Sequence, residues 1–304
     1  MDPLASIISL LRPRALSPKL ISGSGRWAVR YTQVSSAGFG LVLEGACTLR
    51  IDGGDPVMLA KGDFVLMPPN EGFTMYSDPD AEPVVLEPEP GAGRLELRHG
   101  EPEGTPGFRQ LGGSFRLDAA NVDLLAGMLP RIVHIRASEI TASRLADLIG
   151  LIADEATSDR PGRDLIVERL VEVMLVEALR FQPERAEAMA RPGLLEGLGD
   201  PGLASVLRRI HADVARPWTV AELAREAGLS RSIFSERFLN KVGVPPIEYV
   251  IGWRMALAKD YLQRGDMPLE QVASAVGYQS ASALSTAFRR RVGQSPRAFT
   301  HGAR

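Results

Sequence analysis

Small polar and cationic side chains follow one face of a short segment near the C-terminal end of the chain. The segment begins at Ser280, whose side-chain oxygen can cap a helix, and it ends at Gly293, just before Pro296. Apolar residues recur every four positions between these limits, which predicts a helix with one buried face. The opposite face carries hydroxyl and guanidinium groups, on Ser282, Ser285, Thr286, Arg289 and Arg290. Such a face fits a DNA groove, where phosphates flank the base edges.

A second segment of the same plan occurs about fifty residues earlier, where Ser230 occupies the position of Ser280. Its helix is predicted over Arg231–Val242, with two phenylalanines turned inward. Each of the two helices follows a short helix and a glycine turn, at 219–228 and 269–277. An internal repeat of this kind rarely arises by chance, so the sequence predicts two helix-turn-helix units.

One long helix is predicted between the two units, over Pro246–Arg264. It has an apolar stripe formed by Tyr249, Trp253, Leu257 and Tyr261. This helix is expected to hold the two units rigidly. A separation of about one turn of DNA would let both recognition helices enter successive major grooves on one face of the duplex.

The tandem arrangement resembles the DNA-binding domain of the AraC/XylS family over roughly Leu203–Thr300. The matching motifs, in chain order, are Ala221-x2-Ala224, Gly228-x-Ser230, Phe238, Trp253-Arg254-Met255 and Phe288-Arg-Arg-x2-Gly293-Gln-Ser-Pro296. The resemblance implies sequence-specific binding to promoter sites in double-stranded DNA, contact with RNA polymerase and control of transcription.

The resemblance also implies roles for individual residues of this sequence. The base-facing residues are Ser232, Ser235 and Glu236 in the first unit and Ser282, Ser285 and Thr286 in the second. Phosphate contacts fall to Arg231, Arg289 and Arg290. The sequence departs from the family at Glu236, where many relatives carry arginine. A carboxylate there either accepts a hydrogen bond from the N4 group of cytosine or repels the DNA backbone.

Charge is distributed unevenly along the 304 residues, although the net charge is only −2. Residues 203–304 contain 15 lysines and arginines against 8 acidic residues, a net charge of +7, which leaves −9 on residues 1–202. A basic C-terminal third on an acidic body predicts that this third alone binds a polyanion. The length favours two domains over a single core.

Short apolar runs broken by glycine and proline extend from Trp27 to about Leu97, a spacing typical of an antiparallel sandwich or small barrel. The stretch 38–68 resembles the cupin barrel found at the N-terminus of many AraC-type regulators. This resemblance implies a sensing domain with a small-molecule effector as its partner.

Metal-dependent cupins supply histidines at two places of this motif, where Gly40 and Phe73 stand here. The histidines of residues 1–202, His99 and His134, lie far from both places. The sequence therefore predicts a barrel that binds no metal and no cofactor. It also contains no nucleophile elbow, phosphate-binding glycine loop or paired-carboxylate motif that would favour an enzyme.

Helical periodicity replaces the β pattern in the second part of the N-terminal region. A helix predicted over Leu165–Phe181 is apolar on nearly every side, so it is either a buried core helix or part of a subunit contact. The family resemblance favours a homodimer. The predicted domains are a cupin-like sensing and dimerisation domain at 1–181, a linker at 182–202 and the tandem helix-turn-helix domain at 203–304.

The single cysteine, Cys47, alternates with polar and small residues in a predicted strand, on the same face as Leu49 and Ile51. It is either a small buried core residue, which its neighbours favour, or a redox sensor.

One cysteine excludes an intramolecular disulfide framework, and no apolar run approaches the ~20 residues that span a bilayer. A cytoplasmic protein without a membrane partner is expected.

The predicted fold class is α+β multidomain. It combines an N-terminal antiparallel cupin-like β-barrel and the helices that follow it with a C-terminal all-α tandem helix-turn-helix domain. The favoured function is transcription regulation controlled by a small-molecule effector. The alternative is a constitutive DNA-binding regulator whose barrel only dimerises, and a cupin-type enzyme is the least favoured class.

Overall fold

The computed structural model describes residues 2–34, 36–87, 96–117, 132–139, 144–180 and 192–302. Within these ranges the chain divides into two compact units. The first, called the sheet unit below, contains the described residues between 13 and 180. The second, called the helical unit, combines residues 2–12 with residues 192–302. A β-rich N-terminal part and a helical C-terminal part confirm the predicted α+β class.

The strands all belong to the sheet unit. In chain order they are β1 (Arg14–Ser24), β2 (Ala28–Val34), β3 (Ala37–Glu44), β4 (Ala46–Ile51), β5 (Val57–Ala60), β6 (Phe64–Met67), β7 (Asn70–Tyr76), β8 (Val84–Leu86), β9 (Glu96–Gly100), β10 (Phe108–Arg116) and β11 (Val133–Ile135). They form one sheet with the order β11–β6–β3–β10–β1–β9 and a second with the order β5–β4–β7–β2–β8.

Most neighbouring strands pair antiparallel, as predicted, but the edge pairs β1–β9 and β2–β8 are parallel. No described strand is shared by the two sheets, so they do not close into one continuous barrel. A parallel pair requires a long crossover connection. Hydrophobic alternation identifies the buried face of a strand but not its direction, which is why the sequence did not predict these pairs.

Apolar side chains from both sheets form a common core that includes Val42, Leu49, Leu59, Val65, Met67 and Met75. Cys47, Leu49 and Ile51 are buried in β4, whereas Ala46 and Arg50 are exposed. The predicted alternation of this strand is therefore confirmed.

The helices, in chain order, are α1 (Pro3–Leu11), α2 (Arg144–Thr157), α3 (Arg163–Arg180), α4 (Leu194–Gly199), α5 (Pro201–Ala212), α6 (Val220–Glu226), α7 (Arg231–Val242), α8 (Pro246–Arg264), α9 (Leu269–Ala275), α10 (Ala281–Val292) and α11 (Pro296–Gly302). Both α7 and α8 begin and end at the predicted residues. Among the described helices, none combines the length and the apolar character needed to cross a bilayer.

In the sheet unit, α2 and α3 pack against each other, and α3 also packs on β1. The buried side of α3 includes Val171 and Met174. Leu165, Ile166 and Val173 of the same helix are exposed. The two sequence interpretations of this helix are thus compatible, because it contributes to the core and also leaves an apolar surface.

In the helical unit, α1 packs against α5 and α8. Arg12, which follows α1, donates to the buried carboxylate of Asp260 in α8 at 2.7 Å. The first twelve residues thus join the helical unit, whereas the sequence placed them in the domain 1–181. A short amphipathic helix carries no sequence signal for the partner that buries it.

The helical unit also begins earlier than predicted, because α4 and the start of α5 lie inside the predicted linker 182–202. Gly193 N donates to Lys241 O at 2.8 Å, and α4 packs against α7. Prolines and glycines suggested a linker, but Leu194 is buried and Gly197 allows close approach to Val242. Residues 182–191 lie outside the described part of the chain.

Candidate functional site

The first helix-turn-helix unit consists of α6, the turn at Gly228 and α7. Thr219 and Glu222 cap α6 reciprocally: Thr219 Oγ1 accepts from Glu222 N at 3.2 Å, and the Glu222 carboxylate accepts from Thr219 N at 3.0 Å. Gly228 has a φ of +67°, a left-handed conformation that glycine adopts without strain. Ser230 then accepts from the Ile233 amide at 3.4 Å and caps α7. These caps fix where the recognition helix begins.

The second unit, α9 to α10, repeats the glycine turn and the serine cap, although its first helix begins after Pro268 without a side-chain cap. Gly277 has a φ of +78°, and a Cβ atom there would lie 2.5 Å from the carbonyl oxygen of Ala215, so glycine is required. Ser280 accepts from an amide of the first turn of α10 at 3.1 Å. Leu284 and Phe288 are fully buried on the inner side of α10. The predicted repeat of caps, turns and buried faces is therefore present in the fold.

The sequence-predicted site residues lie on the outer sides of these two recognition helices. Four are exposed polar residues of the faces assigned to bases, namely Ser232, Glu236, Ser282 and Thr286. Ser235 and Ser285 are half-buried at the edges of the same faces. The arginines assigned to phosphates, Arg231, Arg289 and Arg290, are exposed.

Most charged groups of these faces are not engaged inside the protein. The side chains of Arg231, Glu236, Arg289 and Arg290 form no hydrogen bond or ion pair with any residue of the described ranges. Arg291, the next residue along α10, instead pairs with Glu248 of α8. An unpaired guanidinium can engage a phosphate without first giving up an internal partner.

The hydroxyl groups of α10 donate to the helix itself. Ser285 Oγ donates to Ala281 O at 2.7 Å, and Thr286 Oγ1 donates to Ser282 O at 3.1 Å. Each hydroxyl oxygen keeps lone pairs, because a hydroxyl has one donor and two acceptor sites. In this arrangement the two side chains present acceptors and, for threonine, a methyl group on the outer face.

Arg254 of α8 connects the two helix-turn-helix units through hydrogen bonds. Its place in a family motif did not reveal this role. It donates to Val214 O at 3.0 Å and to Arg216 O at 2.7 Å, in the segment that leads into α6. It also donates to Gly277 O at 3.4 Å, in the turn between α9 and α10. Burial lowers the pKa of this guanidinium, which nevertheless stays charged at any physiological pH.

The sheet unit encloses a cavity of about 600 Å³. Its walls are mainly apolar and come from both sheets, with Leu49, Leu59, Val65, Met67, Phe73 and Met75 among them. Gly40 and Phe73, which stand at the two histidine places of metal-dependent cupins, both line this cavity. Across the described ranges, no group of three His, Cys, Asp or Glu side chains is placed to hold a metal ion.

The two histidines of this unit serve other contacts. His99 stacks on Trp27 with ring centroids 5.8 Å apart, and burial lowers its pKa. His134 Nε2 lies 2.9 Å from Asp63 Oδ2.

Cys47 is buried, and burial raises the pKa of its thiol to about 12. A buried, protonated thiol suits the core interpretation of this residue better than a redox role.

Comparison with known proteins agrees with this architecture. Residues 2–182 match the family profile described as Cupin, and residues 223–302 match the Helix-turn-helix domain profile. A putative AraC-like transcription regulator of Streptomyces lividans is 40% identical over 303 residues, covering 97% of each chain. The regulator AlkR of Acinetobacter baylyi is 26% identical over 306 residues, covering 98% of this chain and 99% of AlkR.

Among solved structures, the DNA-binding domain of AdpA in complex with a target DNA is similar to 34% of this chain. The match covers 92% of that domain, with 32% identity and a TM-score of 0.32.

A cupin domain combined with a tandem helix-turn-helix domain defines a DNA-binding transcription regulator rather than an enzyme. The chain belongs to the AraC-like family of such regulators.

Proposed function

We propose that the chain binds specific promoter sequences, with α7 and α10 in successive major grooves. The proposed base contacts are Ser232, Ser235, Glu236, Ser282, Ser285 and Thr286, and the proposed phosphate contacts are Arg231, Arg289 and Arg290. One observation carries this proposal: two helices with the same caps and the same buried face both present polar groups that have few internal partners. Contact with RNA polymerase at the promoter, in the cytoplasm, is proposed from family membership.

Selection from a random DNA pool tests this proposal directly. The purified full chain is incubated with the pool at one stated salt concentration, and the bound fragments are sequenced. We expect an enriched motif with two half-sites about 10 base pairs apart. A Glu226→Gln variant is a suitable control, because Glu226 pairs with Arg209 at 3.0 Å away from the assigned faces and its loss should leave the motif intact. Bound DNA without any enriched motif would contradict sequence-specific recognition.

We further propose that a small-molecule effector occupies the cavity of the sheet unit and changes DNA affinity. The cavity volume falls within the range of roughly 300–1,000 Å³ typical of ligand pockets. Mainly apolar walls with a few polar groups are also typical of such pockets. Under this proposal, cavity ligands shift the DNA-binding curve of the full chain. An unchanged curve with the cavity occupied would favour the alternative, a constitutive regulator.

Helices α2 and α3 also carry an exposed apolar surface. Leu151, Leu165, Ile166 and Val173 contribute to this surface. We propose that it forms a homodimer contact, which either type of regulator would use. Sedimentation of the full chain should show a dimer, and Val173→Glu should convert it to a monomer. Met58→Glu, a matched change at an exposed residue of β5, should leave the dimer unchanged.

A further inference from the structure

The floor of the cavity contains a row of residues from four neighbouring strands. Lys19 of β1 pairs with Gly112 of β10, Gly112 pairs with Gly40 of β3, and Gly40 pairs with Val65 of β6. All four residues line the cavity. Because the two central positions are glycines, the side chains of Ile21, Val65 and Gln110 approach the sheet closely here, and Gly40 and Gly112 themselves add none to the cavity wall.

Gln110 lies on β10, two residues before Gly112, and is only 4% exposed. Its side-chain amide nitrogen donates to the thioether sulfur of Met75 at 3.5 Å, and sulfur is a weak acceptor. The amide oxygen has no hydrogen-bond partner in the described ranges. A Cβ atom at Gly40 would lie 3.1 Å from this oxygen, so glycine at position 40 keeps the space beside the amide open.

Side-chain acceptors of residues as buried as Gln110 are usually paired within the protein, and one that is not calls for an explanation. Gln110 lines a cavity of ligand size, so a bound molecule can supply the missing partner.

The other polar groups of the cavity leave no strong net charge around this amide. Burial raises the pKa of Tyr31 to about 12, so its phenol is neutral at physiological pH. Lys19 and Glu87 bring one charge of each sign to the walls, and both are more exposed than Gln110. A fully charged head group beside Gln110 would thus be desolvated without a buried counterion, which is unfavourable.

We propose that the cavity binds an uncharged, mainly apolar molecule whose single hydrogen-bonding head, a hydroxyl or carboxamide, is held by the side-chain amide of Gln110. This inference rests on the proposed function, because it names the chemical class of the effector. The apolar body of the ligand fills the space between the sheets and contacts Leu59, Met67 and Phe73. Its head both donates to and accepts from Gln110, since a side-chain amide offers one group of each kind.

A series of ten-carbon probes tests the head-group chemistry. Decyl alcohol, decanamide, decyl chloride and decanoate are titrated against the full chain by displacement of the neutral dye phenylnaphthylamine. We expect the alcohol and the amide to displace the dye at concentrations about 10-fold lower than decyl chloride or decanoate, because a tenfold change corresponds to about 1.4 kcal/mol, within the range of a single net hydrogen bond. If decanoate binds most tightly and Lys19→Met removes that advantage, the ligand is an anion and the proposal is wrong.

Gln110→Leu separates the role of the amide from that of the cavity. The variant should bind decyl chloride as the wild type does, but its affinity for the alcohol and the amide should fall about 10-fold. Its thermal midpoint should change little, because the side-chain hydrogen bond that is lost is the weak one to Met75. A large fall in the midpoint would show that Gln110 serves the fold, and unchanged alcohol affinity would show that it does not hold the head. Either result overturns the proposal.

A substitution at Gly38 tests whether the ligand binds in the cavity. Gly38 lines the cavity, and a Cβ atom at this position would make only ordinary contacts of 3.4 Å or more. Gly38→Leu should project a side chain into the cavity and abolish binding of the dye and of all four probes. Gly107→Leu is the matched control, since Gly107 is exposed and a Cβ atom there has no neighbour within 4 Å. Full probe binding by a folded Gly38→Leu variant would place the ligand elsewhere and contradict the proposal.

These titrations contain no DNA, so their outcome is independent of the DNA selection. Loss of the enriched DNA motif would overturn the proposed recognition while leaving the ligand measurement valid. A wild-type chain that selects DNA but shows no head-group preference would overturn only the ligand class.

Discussion

The two helix-turn-helix units share their construction and differ in their surfaces. Both have a serine N-cap, a left-handed glycine at each turn and helix end, and a fully buried phenylalanine, Phe238 in α7 and Phe288 in α10. The last turn of α10 carries Arg289, Arg290 and Arg291, whereas the corresponding turn of α7 has Lys241 as its basic residue. The outer face of α7 also carries Glu236.

The two helix-turn-helix units also differ in the helices and ion pairs that hold them to the rest of the helical unit. The first unit is braced by α4 and α5, through the ion pair of Arg237 with Asp200 at 2.6 Å and the pair of Lys241 with Glu196. The cations of α7 are therefore partly used for internal contacts. In α10, by contrast, the guanidinium groups of Arg289 and Arg290 have no partner in the described ranges. The repeat thus preserves the local construction, while the first unit has more ion pairs within the protein and the last turn of α10 carries more unpaired positive charge.

The largest expected effect comes from removing the buried ring of either recognition helix. Phe238→Ala and Phe288→Ala should each lower the free energy of unfolding by about 3–5 kcal/mol, because each leaves a cavity at a fully buried position. Urea titration of the full chain, followed by tryptophan fluorescence, measures the loss. Leu239→Ala is the control, since Leu239 is exposed and its truncation should cost little. A small loss for only one of the two phenylalanines would show that the units are not equivalent in their cores.

Local construction of these units was predictable from sequence because each signal acts within a few residues. Ser230 and Ser280 marked helix starts, Gly228 and Gly277 marked turns, and the spacing of the apolar residues marked the buried faces. The limits of α7 and α8 were therefore correct.

Contacts between distant segments were less accessible to sequence reasoning. Nothing near Arg254 indicates that it bonds to carbonyl groups of two separate turns, and nothing near Arg12 points to Asp260. Gln110 looks like one polar residue of a strand until its unpaired amide oxygen and its place in the cavity wall are seen. Alternating hydrophobicity likewise does not show that β8 and β9 join their sheets in parallel. The site residues of α7 and α10 were placed correctly on outer faces, whereas their roles toward DNA stay predictions.

Low pH should destabilise the first helix-turn-helix unit more than the second. The ring of His211 in α5 lies tilted against Trp253 with centroids 4.2 Å apart, and its Nε2 lies 2.8 Å from the hydroxyl of Tyr249, whose ring contacts Phe238. Burial lowers the pKa of His211 from 6.5 to about 3. The folded state therefore favours the neutral ring, and this contribution is fully present above pH 6.5 and is lost as the pH falls toward 3.

The loss for His211 should reach several kcal/mol at the acid end, since one pKa unit corresponds to about 1.4 kcal/mol. The core of the second unit consists of apolar residues such as Val272, Leu284 and Phe288. Urea titrations at several pH values should therefore show a steeper acid loss for the wild type than for His211→Gln. Identical pH profiles for the two proteins would contradict this role of His211.

A change at Glu236 should distinguish base contact from repulsion. Glu236→Gln should alter the preferred base at one operator position, with a change in discrimination of about 1–3 kcal/mol, because cytosine N4 donates to a carboxylate. DNA selection with the variant and the wild type measures the preference. A uniform gain in affinity on all sequences would instead show that the carboxylate repels the backbone. In that case the first unit would be the weaker of the two in reading sequence.

The smallest effect is expected at Arg289. It is also the most direct measure of the difference between the two helix-turn-helix units. Arg289→Ala should weaken binding to all sequences by a similar factor and lower the slope of log affinity against log salt by about 1, because one phosphate contact and its released counterion are lost. Arg291→Ala is a control within the same turn, since Arg291 already pairs with Glu248 and its removal should change the slope less. Arg231→Ala makes the same measurement on the first unit. Equal slopes for Arg289→Ala and the wild type, or a loss confined to certain sequences, would show that α10 does not carry the phosphate anchoring proposed for it.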